Sequence, residues 1–144
     1  MKRKVTAVWK GTGAEGSGTL TGQSGLLKET PYSAKLRFQN EEGTEGTNPE
    51  ELIAAAHAGC FAMALSFGLS REGYTPERLE AKATVQLDKL EGGFEITGIT
   101  LDLHGVVPGI DEATFIQMAE GAKAGCPVSK ALKAVPISLN VTFG

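Results

Sequence analysis

Short alternating runs, Lys4 to Trp9, Gly18 to Thr21 and Ala34 to Phe38, fill the first third of the chain, and Gly-rich punctuation separates them. A period of two broken by turn residues predicts a strand meander over residues 1 to 47. The polar segment Asn40 to Thr47, with its repeated Gly-Thr, is a loop. The period then changes. Leu52, Ala56, Cys60, Met63 and Phe67 recur at spacings of three and four, one face of a helix with Cys60 on its apolar stripe. Thr47 or Asn48 can cap that helix, Pro49 suits its first position, and Glu50 and Glu51 place negative charge where the first-turn amides and the helix dipole favour it. The helix is expected to end near Ser70.

Alternation returns in Leu79 to Leu90 and Phe94 to Val107, joined at Glu91-Gly92-Gly93 as a hairpin. Asp111 to Lys123 predicts a second long helix with Phe115, Met118, Ala119 and Ala122 inward. Gly125 ends it, Pro127 opens a short third helix through about Ala134, and Ile137 to Phe143 alternates as a last strand. This order lacks the regular β-α alternation of a doubly wound sheet, so the predicted class is α+β.

Composition narrows the function. A chain of 144 residues with 41% hydrophobic content suits one domain with a real core. The net charge of −3 and the scattered Lys and Arg form no stripe that could track a phosphate backbone, which argues against a nucleic-acid partner. Met1-Lys2-Arg3-Lys4 resembles the start of an export signal, but Lys10 and a Gly-rich stretch cut off the apolar segment that should follow. No run is expected to approach membrane-spanning length, so the expectation is a cytoplasmic protein with no membrane partner. In a reducing cytosol two cysteines are more often buried filler, catalytic or redox-sensing than a permanent staple.

Those two cysteines are Cys60 and Cys126. A thiolate is a nucleophile, and a second thiol can resolve its oxidised form as a disulfide. Cys60 lies in an Ala- and Gly-rich helix, Ala54-Ala55-Ala56-His57-Ala58-Gly59-Cys60, whose surface lets another backbone approach closely; a small buried hydrophobe is the plainer reading. In Gly125-Cys126-Pro127 the proline at the first helical position makes Cys126 the N-cap, where backbone amides and the dipole favour a thiolate, although any small residue fits that turn. His57, three residues before Cys60, invites a Cys/His nucleophile, but from the same rigid helix it would point outward beside the cysteine. Two cysteines so far apart, with only His57 and His104 to help, match no metal-ligand spacing.

Four blocks now carry a resemblance over nearly the whole chain: Gly46-Thr47-Asn48-Pro49-Glu50-Glu51-Leu52-Ile53, Ala55-Ala56-His57-Ala58-Gly59-Cys60-Phe61-Ala62-Met63-Ala64-Leu65-Ser66, Val107-Pro108-Gly109-Ile110-Asp111, and Ala122-Lys123-Ala124-Gly125-Cys126-Pro127-Val128-Ser129. The chain resembles the OsmC and Ohr organic hydroperoxide resistance proteins, and more closely the OsmC branch. The resemblance implies an intertwined homodimer in which two sheets wrap central helices, with a thiol peroxidase site at the subunit interface. It implies that Cys60 attacks the hydroperoxide and Cys126 resolves the product. The acidic residue of the family falls on Glu50. Its arginine falls on Arg37 by the OsmC pattern, whereas the Ohr pattern would place it in Gly11-Thr12-Gly13-Ala14-Glu15-Gly16, which holds none.

Chemistry suits that set. A guanidinium held by a bidentate carboxylate lowers the pKa of a nearby thiol and stabilises the departing alkoxide. Glu50 and Cys60 stand ten residues apart, about 15 Å along one straight helix, so they cannot share a site within it. Either the helix breaks or a second chain supplies its Glu50; the expectation is the second, a dimer with composite sites. The cycle would run from thiolate to sulfenic acid to disulfide, with an external dithiol restoring both thiols and no metal or organic cofactor. Met63, Phe67 and Phe38 would favour organic hydroperoxides. The rivals are a Cys60/His57 acyl-transfer enzyme, which would not need Cys126, and a non-catalytic dimeric binding protein.

Overall fold

In the computed structural model, which describes residues 1–144, the opening alternation folds as an antiparallel sheet of order β1-β2-β3. Its strands are β1 (Val5–Lys10), β2 (Ser17–Gly22) and β3 (Thr30–Ser33). Trp9 faces Gly18 across the β1–β2 ladder, and its ring tilts against Tyr32 at 5.3 Å. Gly18 admits those rings: a Cβ there would collide with the Val8 carbonyl and press on Tyr32. β1 is exposed along its whole length, Val5, Val8 and Trp9 included.

The third expected strand is corrected. Ala34–Phe38 is a short helix, α1, and only the four residues before it pair as β3. Ser33 decides the matter: its Oγ accepts from the Leu36 amide at 3.1 Å and caps the helix. Ala, Lys, Leu and Arg are also strong helix formers, and over five residues they outweigh an alternating pattern.

These elements, with the start of α2 (Pro49–Arg71), make up one compact unit, Met1–Leu52; a second spans Ile53–Gly144. The second unit holds the sheet β4-β5-β6, with β4 (Arg78–Leu90) and β5 (Gly93–Val106) forming the predicted hairpin. α3 (Glu112–Gly125) and α4 (Pro127–Ala131) then cross over to β6 (Ile137–Phe143), which pairs parallel to β5. Parallel pairing requires such a crossover. Asp111 starts α3 by accepting from the Thr114 amide at 2.8 Å.

The core lies between α2, β5 and α3. Phe61, Leu65 and Leu69 pack with Ile99, Leu101 and Leu103, and with Phe115 and Ala119. Each such side chain contributes about 1.5–3 kcal/mol by leaving water. Gly105 makes room for the Phe115 ring, which any Cβ at that position would strike.

Two expectations about α2 are also corrected. The stripe turned into the unit is His57, Phe61, Leu65 and Leu69, whereas Met63 and Phe67 are 62% and 64% exposed. The helix is apolar nearly all round, so periodicity alone does not say which stripe meets the chain's own sheet. By length and composition α2 is, moreover, apolar enough to cross a bilayer. Its stretch from Leu52 to Ser70 carries no Asp, Glu, Lys or Arg, so the expectation that no run approaches membrane-spanning length does not hold for α2.

Candidate active site

Turn chemistry builds the first half of the site. α1 presents Arg37, and the chain returns through Gly46, whose φ of +71° few other residues adopt and whose Cα face lies against Leu36. Asn48 then caps α2, its Oδ1 accepting from the Glu51 amide at 2.8 Å, and Glu50 enters the first turn. Arg37 Nε donates to Oε1 and Oε2 of Glu50 at 3.1 and 3.2 Å, and Nη2 donates to Oε1 at 2.6 Å. Glu50 is well shielded, its side chain 12% exposed against 34% for Arg37. The guanidinium also lies over Phe38 at 5.0 Å. One edge of the guanidinium, Nε and Nη2, is thus fixed by Glu50, and no hydrogen bond to that carboxylate uses Nη1.

Tertiary packing builds the second half. Cys60 sits mid-way along α2 and Cys126 at the junction of α3 and α4, and their Sγ atoms lie 2.7 Å apart, sharing a hydrogen bond across 66 residues of sequence. Both are free thiols. Cys126 is fully buried; Cys60 is half-buried and opens on an apolar cavity of about 740 Å³ lined by Met63, Phe67, Met118 and Pro127. A solute in that cavity meets Cys60 and not Cys126.

Electrostatics separates the two thiols. Burial, reinforced by the contact with Cys126, pushes the Cys60 thiol up. Burial also pushes Cys126 up, but hydrogen bonds from Cys60, from the amide and hydroxyl of Ser129 and from the Val128 amide outweigh it and hold this thiol below its ordinary range. Cys126 is the N-cap of α4 as expected, though its sulfur makes no side-chain capping hydrogen bond of ordinary geometry. Within one chain, then, burial and the sulfur contact favour the protonated form of Cys60, the accessible sulfur.

The sequence placed His57 wrongly and overlooked Ser129. His57 is fully buried and turned inward, its Nε2 2.7 Å from Ser129 Oγ, while its Nδ1 has no partner. Burial lowers its pKa and keeps the ring neutral. Ser129 is buried too, at the third position of α4 counted from Cys126. That spacing, an N-cap followed three residues on by a polar side chain, was the available signal. His104 lies elsewhere, against the Gly144 carbonyl.

A family model described as OsmC-like protein matches residues 41–140. The chain is 51% identical over 132 residues to the peroxiredoxin OsmC of Escherichia coli, covering 92% of this chain and 90% of that protein. It is 34% identical over 112 residues to an organic hydroperoxide resistance protein of Xanthomonas axonopodis, covering 75% and 77%. The crystal structure of the organic hydroperoxide resistance protein OhrB of Bacillus subtilis superposes with a TM-score of 0.77 at 31% identity, over 99% of this chain and 98% of the other.

Proposed function

Because the chain belongs to the family of OsmC-like proteins, we propose that it acts as a thiol peroxidase that reduces organic hydroperoxides to alcohols, with Cys60 as the attacking residue and Cys126 as the resolving one. The observation that carries the assignment is the sulfur pair itself: two free thiols at 2.7 Å, one open to an apolar cavity and the other sealed. The Cys60 thiolate attacks the distal oxygen of ROOH, the O–O bond breaks, and the alkoxide takes up a proton and leaves as ROH. Cys60 is then a sulfenic acid. Cys126 attacks its sulfur, hydroxide departs as water, and a disulfide remains. An external dithiol returns two electrons and restores both thiols.

One step needs help from outside the chain. Burial and the Cys126 contact push the Cys60 thiol up in its own subunit, and attack requires the thiolate. The cation suited to lower its pKa is Arg37, fixed by Glu50, yet Glu50 lies ten residues before Cys60 on the unbroken helix α2, about 15 Å away along the axis. In our reading the two subunits of a homodimer exchange these parts, so that the Arg37–Glu50 pair of one serves Cys60 of the other. The outward stripe of Met63 and Phe67 and the exposed apolar residues of β1 are suitable surfaces for such an assembly. We place the protein in the cytoplasm, where dithiol reductants are available.

The experiment is a thiol titration of the reduced protein before and after one equivalent of cumene hydroperoxide, without added reductant. Two free thiols per chain should fall to none and return with dithiothreitol. Two unchanged thiols would overturn the assignment and favour a non-catalytic binding protein.

A further inference from the structure

The peroxidase reading leaves one buried titratable group unused: His57, fully enclosed and bonded to Ser129. A buried polar side chain costs stability unless it is paired, and an imidazole on the core stripe of a helix needs a reason to be there. Its geometry supplies one. Nδ1 is buried without a partner, whereas Nε2 is 2.7 Å from Ser129 Oγ. An unpartnered N–H is costlier to bury than a bare ring nitrogen, so the ring proton belongs on Nε2. Nε2–H therefore donates to Ser129 Oγ and occupies its acceptor side. The Ser129 hydroxyl hydrogen is left free to point elsewhere, and Ser129 stands on the same turn as Cys126, three residues on.

We propose that His57 is a positioning residue for the resolving step, orienting the Ser129 hydroxyl so that it donates to Cys126 Sγ as that sulfur attacks the oxidised Cys60. The chain runs Nε2–H to Oγ–H to Sγ, from the core of α2 to the start of α4. Its effect is on the nucleophile of the second step and not on that of the first. The Cys126 thiol gives up its proton, which leaves with the sulfenate hydroxyl as water; the S–O bond of Cys60 breaks, the S–S bond forms, and the negative charge that Cys126 carries in between is held by the Ser129 hydroxyl. His57 itself gains and loses no proton. Placement of Ser129 and Val128 in the first turn of α4, beside Cys126, agrees with this arrangement and accounts for the downward push on that thiol, and burial keeps His57 in the neutral form the chain requires.

The inference rests on the peroxidase reading for its role but can be measured without it. In a Cys60→Ser protein Cys126 is the sole thiol, and its thiolate absorbance in the ultraviolet gives its titration midpoint directly. Ser129→Ala and His57→Leu should each raise that midpoint, and His57→Gln, whose amide can place a donor where Nε2 stood, should restore it. In the protein with both cysteines, one equivalent of cumene hydroperoxide followed by rapid quenching separates sulfenate formation from disulfide formation. Loss of one hydrogen bond to a charged sulfur predicts disulfide formation about tenfold slower in Ser129→Ala and His57→Leu. His57→Gln should lie within about twofold of the parent, since it keeps that bond. Equal midpoints in all variants, or Gln behaving as Leu does, would overturn the proposal. Should His57→Leu fail to fold, Ser129→Ala still decides. If the parent never consumes peroxide, the peroxidase reading fails while the midpoints still judge the hydrogen-bond chain.

Discussion

The charged pair, Arg37 and Glu50, and the thiol pair, Cys60 and Cys126, are built on opposite plans. Arg37 and Glu50 are thirteen residues apart and are joined by local devices: a Ser33 cap, a left-handed Gly46 and an Asn48 cap. Cys60 and Cys126 are 66 residues apart and meet because Phe61, Leu65 and Leu69 on one side and Phe115 and Ala119 on the other lock α2 and α3 into a common core. The difference follows from the chemistry each must perform. A guanidinium works at several ångströms through a long side chain, so turn geometry places it well enough. Two sulfurs must come within bonding distance of each other on short arms, and only a packed core sets positions that finely.

The largest expected effect removes one member of the thiol half. Cys60→Ser should abolish peroxide consumption, whereas Cys126→Ser given one equivalent should consume it without forming an internal disulfide and accumulate a sulfenic acid that dimedone traps. Retention of turnover in Cys60→Ser would break the comparison at its root. Next, Phe61→Ala should cost about 3–5 kcal/mol in urea unfolding and slow disulfide formation as well, because the core that aligns the sulfurs loosens. Unfolding weakened with disulfide formation untouched would separate core from chemistry.

The charged half should respond differently. Arg37→Met should leave unfolding nearly unchanged while slowing sulfenate formation about 10²–10³-fold, the range for losing one preorganised charge stabiliser. The sign of the pH effect follows from the reactive form: the rate rises with pH as Cys60 loses its proton, so removing the cation raises that pKa and moves the rate profile to higher pH. A profile that stays in place would detach Arg37 from Cys60. Gly46→Ala should be milder, about 1–3 kcal/mol of backbone strain, read as a partial form of the Arg37 defect.

Smallest is an effect confined to acid. His57 has a lowered pKa in the folded protein, so between that value and its ordinary value near 6.5 the unfolded chain binds more protons. Stability should therefore be complete above about pH 7 and decline as pH falls through this window. The urea midpoint of the parent should drop from pH 7 to pH 5 more than that of His57→Gln; equal drops would remove His57 as the cause.

What could be read from the sequence followed the same divide. β6, the hairpin and the N-caps of α2 and α4 were legible, since alternation, Gly and Pro punctuation and first-turn acids are local signals. The candidate set of Cys60, Cys126, Arg37 and Glu50 was named from motif resemblance, and in the structure these residues form two pairs. α1 was missed because Ala34 to Phe38 alternates like a strand and only Ser33 marks the helix. The inward stripe of α2 was misassigned because Ala, Gly and Cys surround the helix with apolar surface. For Ser129 the local spacing from Cys126 gave only a weak signal, because its pairing with His57, 72 residues away, is in no local pattern.

The parallel pairing of β5 with β6 governs the order in which the molecule assembles. The β4–β5 hairpin is local and forms on the microsecond scale of hairpins, but β6 must await the α3–α4 crossover, a slower, long-range closure. Cys126 is carried within that crossover. A newly unfolded or newly made chain thus passes through a stage in which Cys60 has no resolving neighbour. Peroxide met then would find a thiol with nothing to stop its oxidation at the sulfenic stage, and would drive it on to sulfinic acid. Refolding in the presence of peroxide, followed by mass analysis of the Cys60 peptide, should show that overoxidised product, and the same peroxide added after refolding should not.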